Sequence, residues 1–136
     1  LLLRLPEARL ADLARLAGCA LSVGGCELRL GEPRPRELLP HSTLYAHFVA
    51  AASDDEPRFM EGVASALRAL RVDGHRVCGR RQQRRVSAGE ITGFSLMLHG
   101  LSAADSLCLQ REGIGPHRLL GCGIFVPHRS AAAVGA

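Results

Sequence analysis

The sequence predicts an α+β fold whose second half follows the order β-α-β-β-α-β. The first reason is an apolar stripe at helical spacing between Phe59 and Leu70, which is flanked by segments that alternate apolar and polar residues. The second reason is that residues 1–30 repeat the closing part of the same order. Hydrophobic residues make up 47% of the 136, which is enough for a packed core.

The first thirty residues predict a strand, a helix and a hairpin. Residues 1–5 are apolar and suit a strand, and Pro6 suits the first turn of a helix that Gly18 ends. Residues 19–23 and 26–30 predict a hairpin, because the two glycines between them signal a tight turn. The chain has no initiator methionine and begins within a predicted strand, so we expect it to be the C-terminal portion of a longer protein.

Residues 31–40 contain three prolines and predict a linker between domains. We therefore expect a partial domain over residues 1–30 and a complete one over residues 41–129. The small residues 130–136 predict a frayed tail.

The second domain opens with a strand over residues 42–52 and a capped helix. Alternation in this strand places two sets of side chains on opposite faces, namely Leu44, Phe48 and Ala50 against Tyr45, His47 and Val49. The acidic residues 54–56 before Pro57 predict the helix start. The helix's buried stripe is predicted to be Phe59, Met60, Val63, Leu67 and Leu70.

The remaining elements are a hairpin, a helix and a strand. Residues 75–86 and 91–99 predict two strands joined across residues 87–90, and Ser102 with Asp105 predicts a capping box for a helix that ends at Gly113. Residues 119–126 predict the last strand. The whole order is that of a ferredoxin-like domain.

Two G-x-G doublets join that helix to the last strand. The four glycines bracket His117 and Arg118, and they are Gly113, Gly115, Gly121 and Gly123. Glycine adopts positive φ and lets backbone N–H groups approach a ligand, so we predict a loop that wraps a phosphate backbone. The alternative is an ordinary connection rich in turn residues.

These doublets, with the stretches GFSLMLHGLS from Gly93 and GCGIFVPH from Gly121, resemble the CRISPR-associated endoribonucleases that process precursor CRISPR RNA, Cas family six of the RAMP superfamily. The resemblance implies two tandem ferredoxin-like domains, the first truncated here. It also implies metal-independent cleavage without a cofactor, in which a ribose 2′-hydroxyl attacks the adjacent phosphate and leaves a 2′,3′-cyclic phosphate. The implied partners are CRISPR repeat RNA and possible further subunits of an interference complex.

Positive charge is concentrated in the second half of the chain. All seventeen basic residues are arginine; residues 1–70 hold eight against nine acids, and residues 71–136 hold nine against four. Five lie in the predicted strand 75–86, with Arg76, Arg80 and Arg84 expected on one side and Arg81 and Arg85 on the other. These arginines, the four glycines, His117 and Arg118 are the candidate RNA-binding residues. The alternative is an edge strand charged to prevent pairing.

The catalytic residues stay unassigned. In the family that the chain resembles, the acting histidine lies in or near the first helix of the first domain, a position that none of the six histidines matches: His41, His47, His75, His99, His117 and His128. His47 and His99 fall within predicted strands, where a structural role is the simplest. We therefore expect the catalytic base upstream of Leu1 and no cleavage by this chain alone.

The spacing of the cysteines and the length of the apolar runs argue against three classes of protein: disulfide-rich secreted, metal-binding and membrane-spanning. The five cysteines lack a C-x-x-C motif, so the sequence favours a reducing cytoplasm and no metal site. No apolar run approaches the ~18 residues that a membrane span needs.

Three functional hypotheses stay open. The first is the endoribonuclease, and the second is a non-catalytic module, either a RAMP-type subunit that holds guide RNA or a generic RNA-recognition domain. The generic version is weakened because one Tyr and four Phe provide few stacking aromatics. The third is a ferredoxin-like metabolic or ligand-sensing domain.

Overall fold

The computed structural model describes residues 2–129, and the chain divides into two compact units between Glu37 and Leu38. The first unit contains a 3₁₀ turn over Glu7–Arg9, α1 over Leu10–Ala14, β1 over Ala20–Val23 and β2 over Cys26–Arg29. β1 and β2 pair antiparallel and form the predicted hairpin, with Gly24 and Gly25 in the turn at φ 57° and 80°.

Two predictions in the first unit are wrong. Residues 2–5, the described part of the predicted first strand, form no strand, because the described ladder of this unit consists of β1 and β2 alone. α1 ends at Ala14 rather than near Gly18, since the N–H groups of Leu16 and Ala17 bond three residues back instead of four. Residues 31–40 contain neither helix nor strand. The domain boundaries stay a prediction, and the predicted tail lies outside the described residues.

The second unit has the predicted element order. Its elements are β3 over Thr43–Ala50, α2 over Glu56–Leu70, β4 over His75–Val86, β5 over Gly89–His99, α3 over Ala103–Glu112 and β6 over Val126–Pro127. The four strands form an antiparallel sheet in the order β4-β5-β3-β6. A β-α-β-β-α-β chain with this strand order is ferredoxin-like, so the predicted fold class is confirmed.

Both helices begin at the predicted caps. The Asp55 carboxylate accepts a hydrogen bond from the Arg58 N–H at 3.1 Å, and the Ser102 hydroxyl accepts one from the Asp105 N–H at 3.1 Å. Each cap satisfies an N–H that the first helical turn leaves unpaired.

Both helices pack against one face of the sheet. Phe59, Val63 and Leu67 of α2 are buried, as predicted, and Met60 and Leu70 are partly buried against the same cluster. Leu109 of α3 joins this core, and the rings of Phe59 and Phe94 stack at 4.6 Å between centroids.

The sheet contains two β-bulges, one on each side of β5. Ala46 and Val49 of β3 pair with Leu96 and Phe94, so His47 and Phe48 together oppose Ser95. An extra residue in one strand reverses the faces that the following side chains occupy.

The same shift occurs on the other neighbour of β5. Cys78 and Arg81 of β4 also pair with Leu96 and Phe94, so Gly79 and Arg80 together oppose Ser95. A Cβ on Gly79 would overlap the Ser95 hydroxyl oxygen, so a larger residue at this position would require that hydroxyl to move.

The first bulge corrects the predicted faces of β3. Leu44 and Val49 both lie in the core under the helices, whereas Phe48 and Ala50 pack with Cys122 in a second cluster. Unbroken alternation, on which the prediction from sequence depends, would place Phe48 and Ala50 with Leu44.

The predicted last strand, residues 119–126, is wrong for most of its length. A 3₁₀ turn covers Arg118–Leu120, and Gly121 and Gly123 adopt φ of 85° and 66°, which a strand excludes. Only Val126–Pro127 pairs with β3. No helix within residues 2–129 combines the length and apolar character needed to cross a membrane.

Candidate nucleic-acid interface

The five candidate arginines lie along β4, at the edge of the sheet, and all are exposed. β4 and β5 extend beyond the end of β3. The last pair between β3 and β5 involves Gly93, while the β4–β5 ladder continues to Val86 and Gly89. The end of the hairpin, residues 83–92, is the hairpin arm. Arg84 and Arg85 lie on it.

The bulge at Gly79 corrects the predicted sides of the arginines. Arg76, Arg81 and Arg85 pair with Leu98, Phe94 and Glu90, whose side of β5 is the side that the helices cover. Arg84 pairs with Ile91 and lies on the other side, with Phe48. Arg76 and Arg84 therefore do not share a face, and Arg80 lies within the bulge.

Three of the arginines are oriented by neighbouring groups. Arg81 forms an ion pair with Asp54 at 2.7 Å, and Arg85 forms one with Glu90 at 3.7 Å. Arg84 donates a hydrogen bond to the Gln82 side-chain oxygen at 3.2 Å. Exposed ion pairs of this kind contribute only about 0–1 kcal/mol, so they hold the guanidinium groups in place without preventing contact with phosphate.

The glycine-rich loop, residues 113–123, is closed at its base by its own two ends. The Ile114 N–H donates to the Gly123 carbonyl oxygen at 3.1 Å. A Cβ on Gly113 would lie 2.5 Å from that oxygen, and a Cβ on Gly123 would overlap the Ile114 carbonyl. Both glycines are thus required by close packing of backbone on backbone.

Three of the four glycine N–H groups are used inside the protein. They bond to the carbonyl oxygens of Leu109, Arg118 and Phe48 at 2.9, 2.9 and 2.7 Å, from Gly113, Gly121 and Gly123 respectively. These three N–H groups therefore stabilise the loop itself, and contact of the four glycines with RNA stays a prediction. Gly115, at φ 81°, packs beside Val49.

The tip of the loop is exposed to solvent. His117 adopts φ 61°, which is rare for a residue with a side chain, and its carbonyl accepts from the Leu120 N–H at 2.9 Å. His117, Arg118 and both leucines are exposed, and Leu119 is entirely so. The base of the loop therefore fixes a tip that presents an imidazole and a guanidinium.

Phe48 connects the arginine strand with the glycine-rich loop. Its carbonyl accepts the Gly123 N–H, and the Arg84 guanidinium lies over its ring, 5.3 Å from the centroid. Cys122 packs against the same ring; burial raises the pKa of its thiol, and the positive charge of Arg84 acts in the opposite direction. The structure thus brings Arg84 and the second doublet together, while Arg76 lies at the beginning of β4.

Sequence reasoning missed Phe48 and Gln82 as parts of this site. Gln82 donates to the His47 carbonyl at 3.0 Å and so attaches β4 to the bulge of β3. An isolated glycine in a strand, such as Gly79, is the one local signal of a bulge that the sequence contained. Among residues 2–129 no three His, Cys, Asp or Glu side chains are grouped so as to hold a metal ion.

Two comparisons with known proteins, one with family models and one with individual relatives, agree with each other. A family model described as "Cas6 Crispr" matches residues 1–130. "CRISPR-associated endonuclease Cas6" of Myxococcus xanthus (strain DK1622) is 39% identical over 133 residues. That alignment covers 97% of this chain and 58% of the relative, so the chain spans a little over half of the relative's length.

Proposed function

The chain belongs to the Cas6 family, and from that premise we propose that it is the RNA-binding portion of an endonuclease that processes CRISPR repeat RNA. The observation that carries this proposal is the junction at Phe48, where the exposed arginine strand meets the glycine-rich loop. Arginine binds phosphate oxygens two at a time, so a row of guanidinium groups suits an RNA backbone.

In this proposal the two features bind different parts of the RNA. The hairpin arm presents Arg84 and Arg85 on opposite faces, so it fits against a stem with phosphates on both sides. The loop tip adds Arg118 and His117 at a position that the closed base fixes. The affinity arises from counterion release and falls as salt rises.

The reaction that we propose needs no metal ion. The 2′-oxygen of a ribose forms a bond to the adjacent phosphorus as the bond to the 5′-oxygen breaks, which leaves a 2′,3′-cyclic phosphate and a 5′-hydroxyl. A base takes the 2′ proton, an acid returns a proton to the 5′-oxygen, and cations stabilise the charge on the phosphate. The arginines of β4, together with Arg118 of the loop, supply positive charge. No residue of this chain is assigned to either proton transfer.

A second candidate is a non-catalytic RAMP-type subunit that holds guide RNA within an interference complex. This candidate is favoured because the described site consists of exposed arginines and a glycine-rich loop. These groups bind phosphate, and none of them is assigned to a proton transfer. We also propose a cytoplasmic location, which the five free cysteines support.

Binding is tested with a repeat stem-loop RNA and a variant in which Arg80, Arg81, Arg84 and Arg85 are changed to Ala. A matched control removes the same charge at four other exposed arginines, namely Arg15, Arg34, Arg36 and Arg68. We expect the first variant to lose most of its affinity and to show a salt slope shallower by about 3, at 0.7–0.9 per phosphate contact. Equal losses in both variants would overturn the assignment of the site.

Cleavage is tested on the same RNA in EDTA, with a 2′-deoxy sugar at the cleavage position as the second substrate. The endonuclease proposal expects the longer protein to cut the ribose RNA and to bind the deoxy RNA uncut. Binding without cleavage by that protein would favour the guide-RNA subunit. Cleavage by residues 1–136 alone would make His117 the first residue to test as the base.

A further inference from the structure

One face of the sheet in the second unit carries a set of ring side chains that the proposed function does not use. Leu98, Leu96 and Phe94 of β5 lie in the core under the helices, so the alternate residues of β5 point to the face without helices. We call this the helix-free face.

The strand register places five rings on the helix-free face. His99 pairs with both His75 and Thr43, and the N–H of His128 donates to the Thr43 carbonyl at 3.1 Å. Paired residues of neighbouring strands share a face, so these histidines share one. The five residues of this ring platform are Tyr45, His47, His75, His99 and His128.

The rings of the platform contact one another in two groups. Tyr45 lies 4.8 Å from His47 and 5.5 Å from His128, measured between ring centroids. His75 and His99 stack at 5.0 Å with an angle of 25° between their planes. His47 and His75 are exposed, and the other three rings are half-buried.

The composition of the platform argues against a purely structural role. It contains four of the six histidines and the single tyrosine of the chain. Met97, which pairs with Tyr45 on this face, is buried, but the rings around it have polar edges, whereas the core under the helices is formed by apolar side chains. Imidazole and phenol rings combine a flat π face with a polar edge.

The platform is continuous with the proposed RNA-binding residues. The Gln82 side chain donates a hydrogen bond to the His47 carbonyl. Phe48, the next residue after His47, lies under the Arg84 guanidinium, and its carbonyl accepts the Gly123 N–H of the loop. A strand of RNA that leaves Arg84, which lies on the same side of the sheet, therefore meets rings next.

We propose that the ring platform binds unpaired nucleobases of the RNA by stacking, beside a stem that the arginines hold. This inference rests on the proposed function, since it assumes an RNA ligand. Every base has a π face, so stacking on aromatic side chains tolerates many sequences, and a four-stranded sheet can present rings to two or three bases.

The experiment uses the 136-residue chain and three RNAs: a stem-loop with an unpaired flank, the same stem-loop without the flank, and one whose flank is abasic. The abasic flank keeps the phosphates and removes the stacking partners. The variants are Tyr45→Ala and His47→Ala, with Tyr45→Phe to retain the ring. His41→Ala, an exposed histidine outside the platform, is the control.

We expect Tyr45→Ala and His47→Ala each to weaken binding of the flanked RNA by about tenfold. Binding of the other two RNAs should not change, and Tyr45→Phe and His41→Ala should behave as the unaltered chain. If Tyr45→Ala fails to fold, the exposed His47 carries the test.

The inference is overturned if the unaltered chain binds intact and abasic flanks equally, or if the variants weaken all three RNAs alike. Failure of the proposed function has a different signature, because the stem-loop without a flank would then bind independently of the β4 arginines.

Discussion

The Arg84 guanidinium lies over the ring of Phe48, with its central carbon 5.3 Å from the ring centroid. A cation over an aromatic ring contributes about 0.5–1 kcal/mol at exposed sites. The Phe48 carbonyl also accepts a hydrogen bond from the Gly123 N–H. The orientation of Arg84 and the position of the loop's base therefore both depend on Phe48.

The first prediction concerns the planar shape of Arg84. Arg84→Lys keeps the charge and loses the planar group that stacks on Phe48, so we expect repeat RNA to bind about fivefold more weakly with an unchanged salt slope. Arg84→Ala should also make the slope shallower by about 0.7–0.9. Titrations at several salt concentrations measure both effects. Equal affinity of the Lys variant and the unaltered chain would show that charge alone matters.

The second prediction separates the glycines of the loop. Gly123→Ala should destabilise the fold by about 3 kcal/mol or more, because its Cβ would overlap the Ile114 carbonyl and φ is 66°. Gly121→Ala should cost only about 1 kcal/mol, since nothing lies within 4 Å of its Cβ and only the positive φ is unfavourable. Urea unfolding measures both values. Similar losses would contradict the packing of the loop's base.

The third prediction concerns the bulge of β4. Gly79→Ala places a Cβ against the Ser95 hydroxyl and should destabilise the fold. Ser95→Ala removes that oxygen, so the double variant should recover part of the loss, with a coupling energy of about 1–2 kcal/mol in a double-mutant cycle. Additive losses would mean that the two residues do not meet as described.

The fourth prediction concerns Cys78. Burial, with the negative charge of Glu56, raises the pKa of its thiol to about 11. The thiolate is the reactive form, so iodoacetamide should modify Cys78 slowly at pH 8, and the rate should rise as pH approaches 11. The exposed Cys19 and Cys26 should be modified first, and all five should react alike in urea. Rapid modification of native Cys78 at pH 8 would contradict the burial.

The same raised pKa has a consequence for stability with a defined sign. The folded state holds its proton more tightly than the unfolded state, so this contribution is complete below the unfolded pKa, near 8.5 for a free cysteine. It is lost as pH rises toward about 11. We expect Cys78→Ser to reduce the fall in stability over this range in pH-dependent unfolding.

The fifth prediction tests a helix cap against an ion pair. Asp55→Ala removes the carboxylate that accepts the Arg58 N–H and should cost about 1 kcal/mol. Asp54→Ala, its neighbour, removes only the exposed pair with Arg81 and should cost about 0.5 kcal/mol or less. Thermal melts of the two variants provide the comparison, and the reverse order would contradict the assigned cap.

The element order and the helix core could be predicted because their signals are local. The stripe of Phe59, Val63 and Leu67, together with the caps at Asp55 and Ser102, follows from spacing and residue type. The last strand could not be predicted from its apolar residues. The positive φ of Gly121 and Gly123, imposed by contacts with residues distant in sequence, excludes a strand there.

For the candidate site, the sequence indicated which residues could bind RNA but not on which face of the sheet each side chain lies. Arg76, Arg81 and Arg84 could be assigned to RNA binding, yet their faces depend on a bulge that is defined only by pairing with β5. The ring platform had a similar limit. Tyr45 and His47 share a face by simple alternation, while His75, His99 and His128 join them through register across three other strands.

The bulge at Gly79 and Arg80 determines which way the later arginines of β4 face. Regular pairing of the same residues beyond Cys78 would place Arg80 opposite Phe94, so Arg81 and Arg85 would turn away from the helices and Arg84 toward them. A descendant that lost Arg80 would also lose the bulge, yet Arg81 would still lie opposite Phe94 and the later arginines would keep their present sides. The bulge thus accommodates one additional charged residue without turning the rest of this surface over.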